Sequence, residues 1–108
     1  MNYSDLMTEA ATIYNDRHTT YGDMQTIMER ISQISSMISG IHLTPHDIAL
    51  VLLSVKLARM GSNRINKENY VDGINYFAFA GALVDTDYQN EGIAEFAARY
   101  APAVKIDE

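Results

Sequence analysis

Apolar positions recur along this chain at helical spacing, and no segment alternates apolar and polar residues in the manner of a half-buried strand. The first stripe is Tyr3, Leu6, Ala10, Ile13 and Tyr14. Ser4 stands as its N-cap, with Asp5 in the first turn near the positive end of the helix dipole. The stripe stops near Asp16, so Arg17 to Asp23, polar and then turn-like, reads as a connection. A second stripe follows in Ile27, Ile31, Ile34 and Ile38, joined by Met24, Met28 and Met37, with Gly40 as its C′ residue. The third segment has the sharpest boundary. Thr44 is the N-cap, Pro45 sits at N1 where a missing N–H costs nothing, and Asp47 at N3 completes a capping box. From Ile48 to Met60 its only strongly polar residues are Ser54, Lys56 and Arg59, and Gly61 closes it. A fourth segment spans about 67–84 after Asn66, with Tyr70, Ile74, Phe77, Ala78 and Gly81 on one stripe and Val71, Ala82 and Leu83 widening it. Gly73 and Gly81 are poor helix formers, so close helix–helix approach is expected at both. A short fifth helix is predicted over Glu91–Tyr100, ended by Pro102, with a loose tail over 101–108.

These segments predict an all-α fold: a single domain over 1–108, a compact bundle of four to five helices around the central apolar helix at about 44–60. Short connections imply roughly antiparallel neighbours. A helix apolar on nearly all sides must be covered on nearly all sides. In so short a chain the other helices wrap it or a second subunit does, so a homo-oligomer is expected.

Composition narrows the partners. The 108 residues carry a formal net charge of −6, which opposes generic DNA or RNA binding but leaves room for a small nucleotide in a local basic pocket or for a protein partner. There is no cysteine, which excludes disulfides and zinc–thiolate sites and fits a cytoplasmic location. No stretch approaches the roughly 18 apolar residues of a membrane span, and the N-terminus lacks a secretory pattern. Six methionines fit the irregular gaps of a helical core.

Three polar features stand outside the apolar pattern: Arg17 with Tyr21-Gly22, Lys56 with Arg59, and Asp72 with Asn75 and Tyr76. Lys56 and Arg59 are one turn apart near a helix C-terminus, and Asp72 and Tyr76 share a face. The short stretch from Gly61 to Asn66 brings the fourth helix back towards Arg59, so an Arg59–Asp72 ion pair is expected. Such a pair serves either as an interhelical clasp, which fixes register more than it adds stability, or as part of a pocket. In the second reading Arg17, Lys56 and Arg59 hold a phosphate or carboxylate and Tyr21 or Tyr76 stacks on a base; the lysine end of the apolar helix is then the pocket floor. His42 and His46 straddle the start of a helix and do not form a helical metal pair. Asp85, Asp87 and Glu91 read as a solvated acidic loop.

The order Asp16-Arg17-x-x-x-Tyr21-Gly22, Thr44-Pro45-x-Asp47-Ile48-Ala49, Lys56-Leu57-Ala58-Arg59 and Asp72-Gly73-Ile74-Asn75-Tyr76 resembles a family of small phage and prophage proteins of unassigned function, over roughly residues 5–84. That family is in turn distantly similar to the all-α nucleotide pyrophosphohydrolases of the MazG type. The resemblance implies a phage-type accessory protein in the host cytoplasm that counteracts a host defence by binding a host protein or a nucleotide signal, with Arg17, Tyr21, Lys56, Arg59, Asp72 and Tyr76 as ligand-binding residues. It also implies an alternative, a magnesium-dependent pyrophosphohydrolase with Glu68 and Asp72 as metal ligands. Two magnesium ions need about four carboxylates. Here the second helix carries Glu29 alone and the fourth carries Glu68 and Asp72, so the balance favours binding without catalysis or cofactor. The third reading is an interaction module with no small ligand.

Overall fold

The computed structural model describes the backbone of residues 1–91 and the side chains of residues 1–84. Among these residues the chain is wholly helical, in four elements: α1 (Tyr3–Tyr21), α2 (Met24–Ser39), α3 (Pro45–Ser62) and α4 (Lys67–Glu91). None of the described helices is long and apolar enough to cross a membrane.

Local chemistry sets most boundaries. The capping box of α3 forms: the Asp47 N–H donates to Thr44 Oγ1 at 3.2 Å and the Thr44 N–H to Asp47 Oδ2 at 2.9 Å. Gly40 ends α2 in the left-handed region, φ 73°, as the sequence indicates. Beyond it Ser36 Oγ accepts the Leu43 N–H at 2.9 Å and donates to the Leu43 carbonyl at 3.2 Å, which pins the α2–α3 link. At α4 the Asn66 carboxamide oxygen caps the Glu68 N–H at 3.1 Å.

Several boundaries differ from expectation. Asn2, not Ser4, caps α1, accepting from the N–H groups of Ser4 and Asp5 at 2.8 and 3.2 Å. Arg17 to Tyr21 is helix rather than connection. Threonine hydroxyls there donate one turn back, Thr19 to the Asn15 carbonyl at 3.1 Å and Thr20 to that of Asp16 at 3.2 Å, so a polar run continues the helix without a loop. At the other end of the chain, α4 runs unbroken past Val84 to Glu91, through the expected acidic loop, because no glycine or proline intervenes. The rest of the predicted fifth helix and the 101–108 tail lie outside the described residues. Gly61 lies within α3, which Asn63 caps.

The main seam is α3 against α4; α1 leans on α4 and α2 on α3. Met28, Ile48, Ala49, Ala80 and Leu83 form the buried centre, with Leu52 and Phe79 packed on it. Two polar ties fix α1 to α4: the Asn75 carboxamide donates to the Ala10 carbonyl at 2.9 Å, and Lys67 pairs with Glu9 at 2.9 Å on the surface. The three neighbours do not wrap α3. Leu50, Val51, Val55 and Leu57 stay exposed, as do Met37 and Ile38 near the end of α2. Of the six methionines Met28 is buried, while Met1, Met7 and Met37 are exposed, so a methionine core describes only part of the set.

Glycines give a paired prediction. Gly22 holds φ 87° and ψ −158°, a region nearly closed to other residues. Gly81 is ordinary exposed helix, and a Cβ there meets nothing within 4 Å. Close approach therefore does not explain it; at Gly73 an added Cβ meets Leu53 at 3.7 Å, ordinary contact. Gly81→Ala is expected to stabilise by about 0.5–1 kcal/mol through helix propensity, and Gly22→Ala to destabilise by about 1–3 kcal/mol through backbone strain. Urea melts of the two variants check the opposite signs.

Candidate functional site

Helices α1 and α2 meet at Gly22-Asp23 but lean on different partners, so they diverge. The space between them is a cleft of about 580 Å³ bounded by α1, α2 and α4, with Leu52 of α3 at its base. The longer α1 matters here. Tyr14, Arg17, His18 and Tyr21 are spaced at three and four residues, so one helical face delivers all four to the cleft.

An aromatic chain runs along one wall. The His18 and Tyr14 ring centroids are 5.8 Å apart, Tyr14 and Phe79 are also 5.8 Å apart, and Tyr76 meets Phe79 edge-on at 6.2 Å. Ile13, Met24, Ile27 and Ile31 supply apolar surface, and Arg17 and Arg30 bring two exposed guanidinium groups from α1 and α2. Asp72 and Asn75 are the polar contributions of α4.

Behind Asp72 lies a buried ion pair. Lys56 Nζ is 2.9 Å from Asp72 Oδ2, with only 9% and 7% of the two side chains exposed. The expected Arg59–Asp72 pair is therefore replaced by Lys56–Asp72. Three residues turn a helix by about 300°, which carries Arg59 off the α4-facing line and into solvent. Glu68, largely exposed, stands 4.0 Å from the same ammonium. Lys56 thus lies within reach of both carboxylates assigned to magnesium in the alternative reading. Among the described residues no group of three or more histidine, aspartate or glutamate side chains is placed to hold a metal ion. Magnesium, which is commonly held by one or two carboxylates together with substrate phosphates, would have to compete with that ammonium for both groups.

The six residues singled out in the sequence divide accordingly. Arg17, Tyr21, Asp72 and Tyr76 line the cleft together; Lys56 sits behind Asp72, and Arg59 is not in the lining. The floor expected from the lysine end of α3 is supplied instead by Leu52, one turn earlier. Tyr14, His18, Arg30, Asn75 and Phe79 join the lining. Of these only Asn75 stands out in the sequence. The heptad-like run Tyr14, Arg17, His18, Tyr21 would have exposed two more had the helix been carried past Asp16.

Removing one member of the ion pair leaves the other charged and buried. Lys56→Ala is expected to destabilise the fold by about 3–5 kcal/mol, whereas Lys56→Met combined with Asp72→Leu should recover most of that loss. Denaturant unfolding of the single and double variants measures the difference.

Residues 5–84 match the family model described as Domain of unknown function (DUF6378). No curated protein and no solved structure matches the chain. The matched span holds every residue that lines the cleft, and the chain belongs to this DUF6378 family.

Proposed function

We propose that this protein works by binding, and that its ligand is a nucleotide held in the α1–α2–α4 cleft. One observation carries the reading: an aromatic wall and two guanidinium groups face one cavity of about 580 Å³. That volume lies in the range usual for small-ligand sites, about 300–1,000 Å³. Stacking of a base on an aromatic side chain contributes about 1–3 kcal/mol, and the planar arginine fork suits phosphate oxygens. Lys56 balances Asp72, so Arg17 and Arg30 leave the cleft locally cationic in a chain of net charge −6. The setting we infer is the one the resemblance implies: a phage or prophage accessory protein that counteracts a host defence by sequestering a nucleotide signal or engaging a host protein.

The hydrolase reading would require magnesium to displace Lys56 from Asp72, and we regard it as the weaker of the two. Pyrophosphate release from a nucleotide panel with magnesium, lost in Asp72→Asn, would reverse that preference. We also infer self-association, because Leu50, Val51, Val55 and Leu57 leave one side of α3 uncovered. Light scattering should then show a species heavier than the 12.1 kDa monomer.

Thermal-shift measurements with mononucleotides and cyclic dinucleotides test the main reading. A ligand at a hundred times its Kd stabilises the native state by about 2.7 kcal/mol, which raises Tm by several degrees. Arg17→Ala and Arg30→Ala should abolish that rise while leaving the unliganded Tm within about 1 °C, since exposed side chains contribute little to the fold. An unchanged Tm across the whole panel would refute nucleotide binding.

A further inference from the structure

The nucleotide reading leaves open which base the cleft takes. The polar atoms of α4 bear on that choice. Asp72 lines the cleft although 93% of its side chain is buried, and Lys56, its partner, is not among the lining residues. The ammonium therefore approaches from the α3 side and engages Oδ2. Among the described residues Lys56 is the one donor to this carboxylate. One turn along α4, Asn75 donates through Nδ2 to the Ala10 carbonyl. A carbonyl accepts only, so this bond turns the amide nitrogen towards α1 and leaves the Asn75 side-chain oxygen without a donor among the described residues. Asp72 and Asn75 both line the cleft. Two acceptors with spare capacity among the described residues thus stand together on the cleft wall. Asp72 is buried and paired on one side while Asn75 is half-buried, and a ligand that brings donors to both uses their remaining acceptor capacity.

We infer that Asp72 and Asn75 form an acceptor pair that selects the ligand by its hydrogen-bond donors, and that the base it takes is guanine. This rests on the nucleotide reading above. Guanine presents a ring N–H beside an exocyclic amino group, two donors side by side, which a carboxylate and a neighbouring carbonyl can accept together. Adenine offers its amino group beside a ring nitrogen that is itself an acceptor and would oppose the carboxylate. Cytosine has the same conflict, and uracil flanks its single N–H with carbonyls. Hypoxanthine keeps the ring N–H and lacks the amino group. Lys56 holds the far oxygen of Asp72, so it positions the carboxylate without touching the base.

Titration calorimetry of the full chain with GMP, IMP and AMP tests this. GMP is expected to bind tightest, IMP weaker, and AMP at least about tenfold weaker than GMP, the discrimination usual when a site's polar groups lose their partners. In Lys56→Met with Asp72→Asn, which avoids an unpaired buried charge, the preference for GMP over AMP should collapse while AMP binding persists. Equal affinity of the wild type for GMP and AMP overturns the acceptor pair and leaves nucleotide binding standing. A preference that instead follows the sugar, with dGMP weaker and GMP equal to AMP, overturns it too, because ribose hydroxyls are then the donors. Survival of the GMP preference in the double variant removes Asp72 from the assignment. Should that variant not fold, the wild-type series decides alone. No heat with any of the nucleotides ends both readings together.

Discussion

The Lys56–Asp72 pair is the constraint on which the rest of this structure hangs. A lysine and an aspartate sit more than nine-tenths buried at the seam of α3 and α4, 2.9 Å apart. Neither charge is tolerable there without the other. The pair therefore fixes the rotation of the two helices, and with it which residues of α4 face away from α3. Asp72, Asn75, Tyr76 and Phe79 reach the cleft because Lys56 and Asp72 meet at the seam. The same ammonium supplies the positive charge that an acidic site would otherwise seek from a metal.

From that seam outward the molecule is built by attachment. α1 is tied to α4 by Asn75 and Ala10 and by Lys67 and Glu9; α2 is held to α3 through Met28, Ile31 and the Ser36 clamp on Leu43. Two helices joined by two residues but bound to different partners cannot lie side by side. The cleft is the geometric remainder. Its aromatic wall comes from α1 and α4 and its second arginine from α2. Among the described residues, the uncovered face on α3 also leaves the apolar surface incompletely enclosed.

What the sequence reveals follows the range of the forces involved. The capping box at Thr44 and Asp47, the left-handed Gly40 and the Asn66 cap are visible because each depends on residues within three or four positions. The all-α class is visible from apolar spacing alone. The end of α1 is not, since threonine hydroxyls bonded one turn back look, in sequence, like the polar residues of a loop. Nor is the choice of Lys56 over Arg59: the two are one turn apart, and only helix rotation in the folded state separates them. Asp72 and Tyr76 stand out because a charge and a phenol interrupt an apolar stripe. Tyr14 and Phe79 do not, since aromatic residues at helical spacing read as core.

Gly22 adds a mechanical consequence. It is the joint between the two diverging walls, in a conformation that glycine alone adopts readily. A glycine joint offers little resistance of its own to a change of angle. The aperture of the cleft is thus not set by the α1–α2 connection independently but is geared to the crossing of α3 over α4, some distance away. A small rotation at that buried seam would be delivered, through α1 and α2 as two lever arms, as a change in the spacing of Arg17 and Arg30 at the mouth.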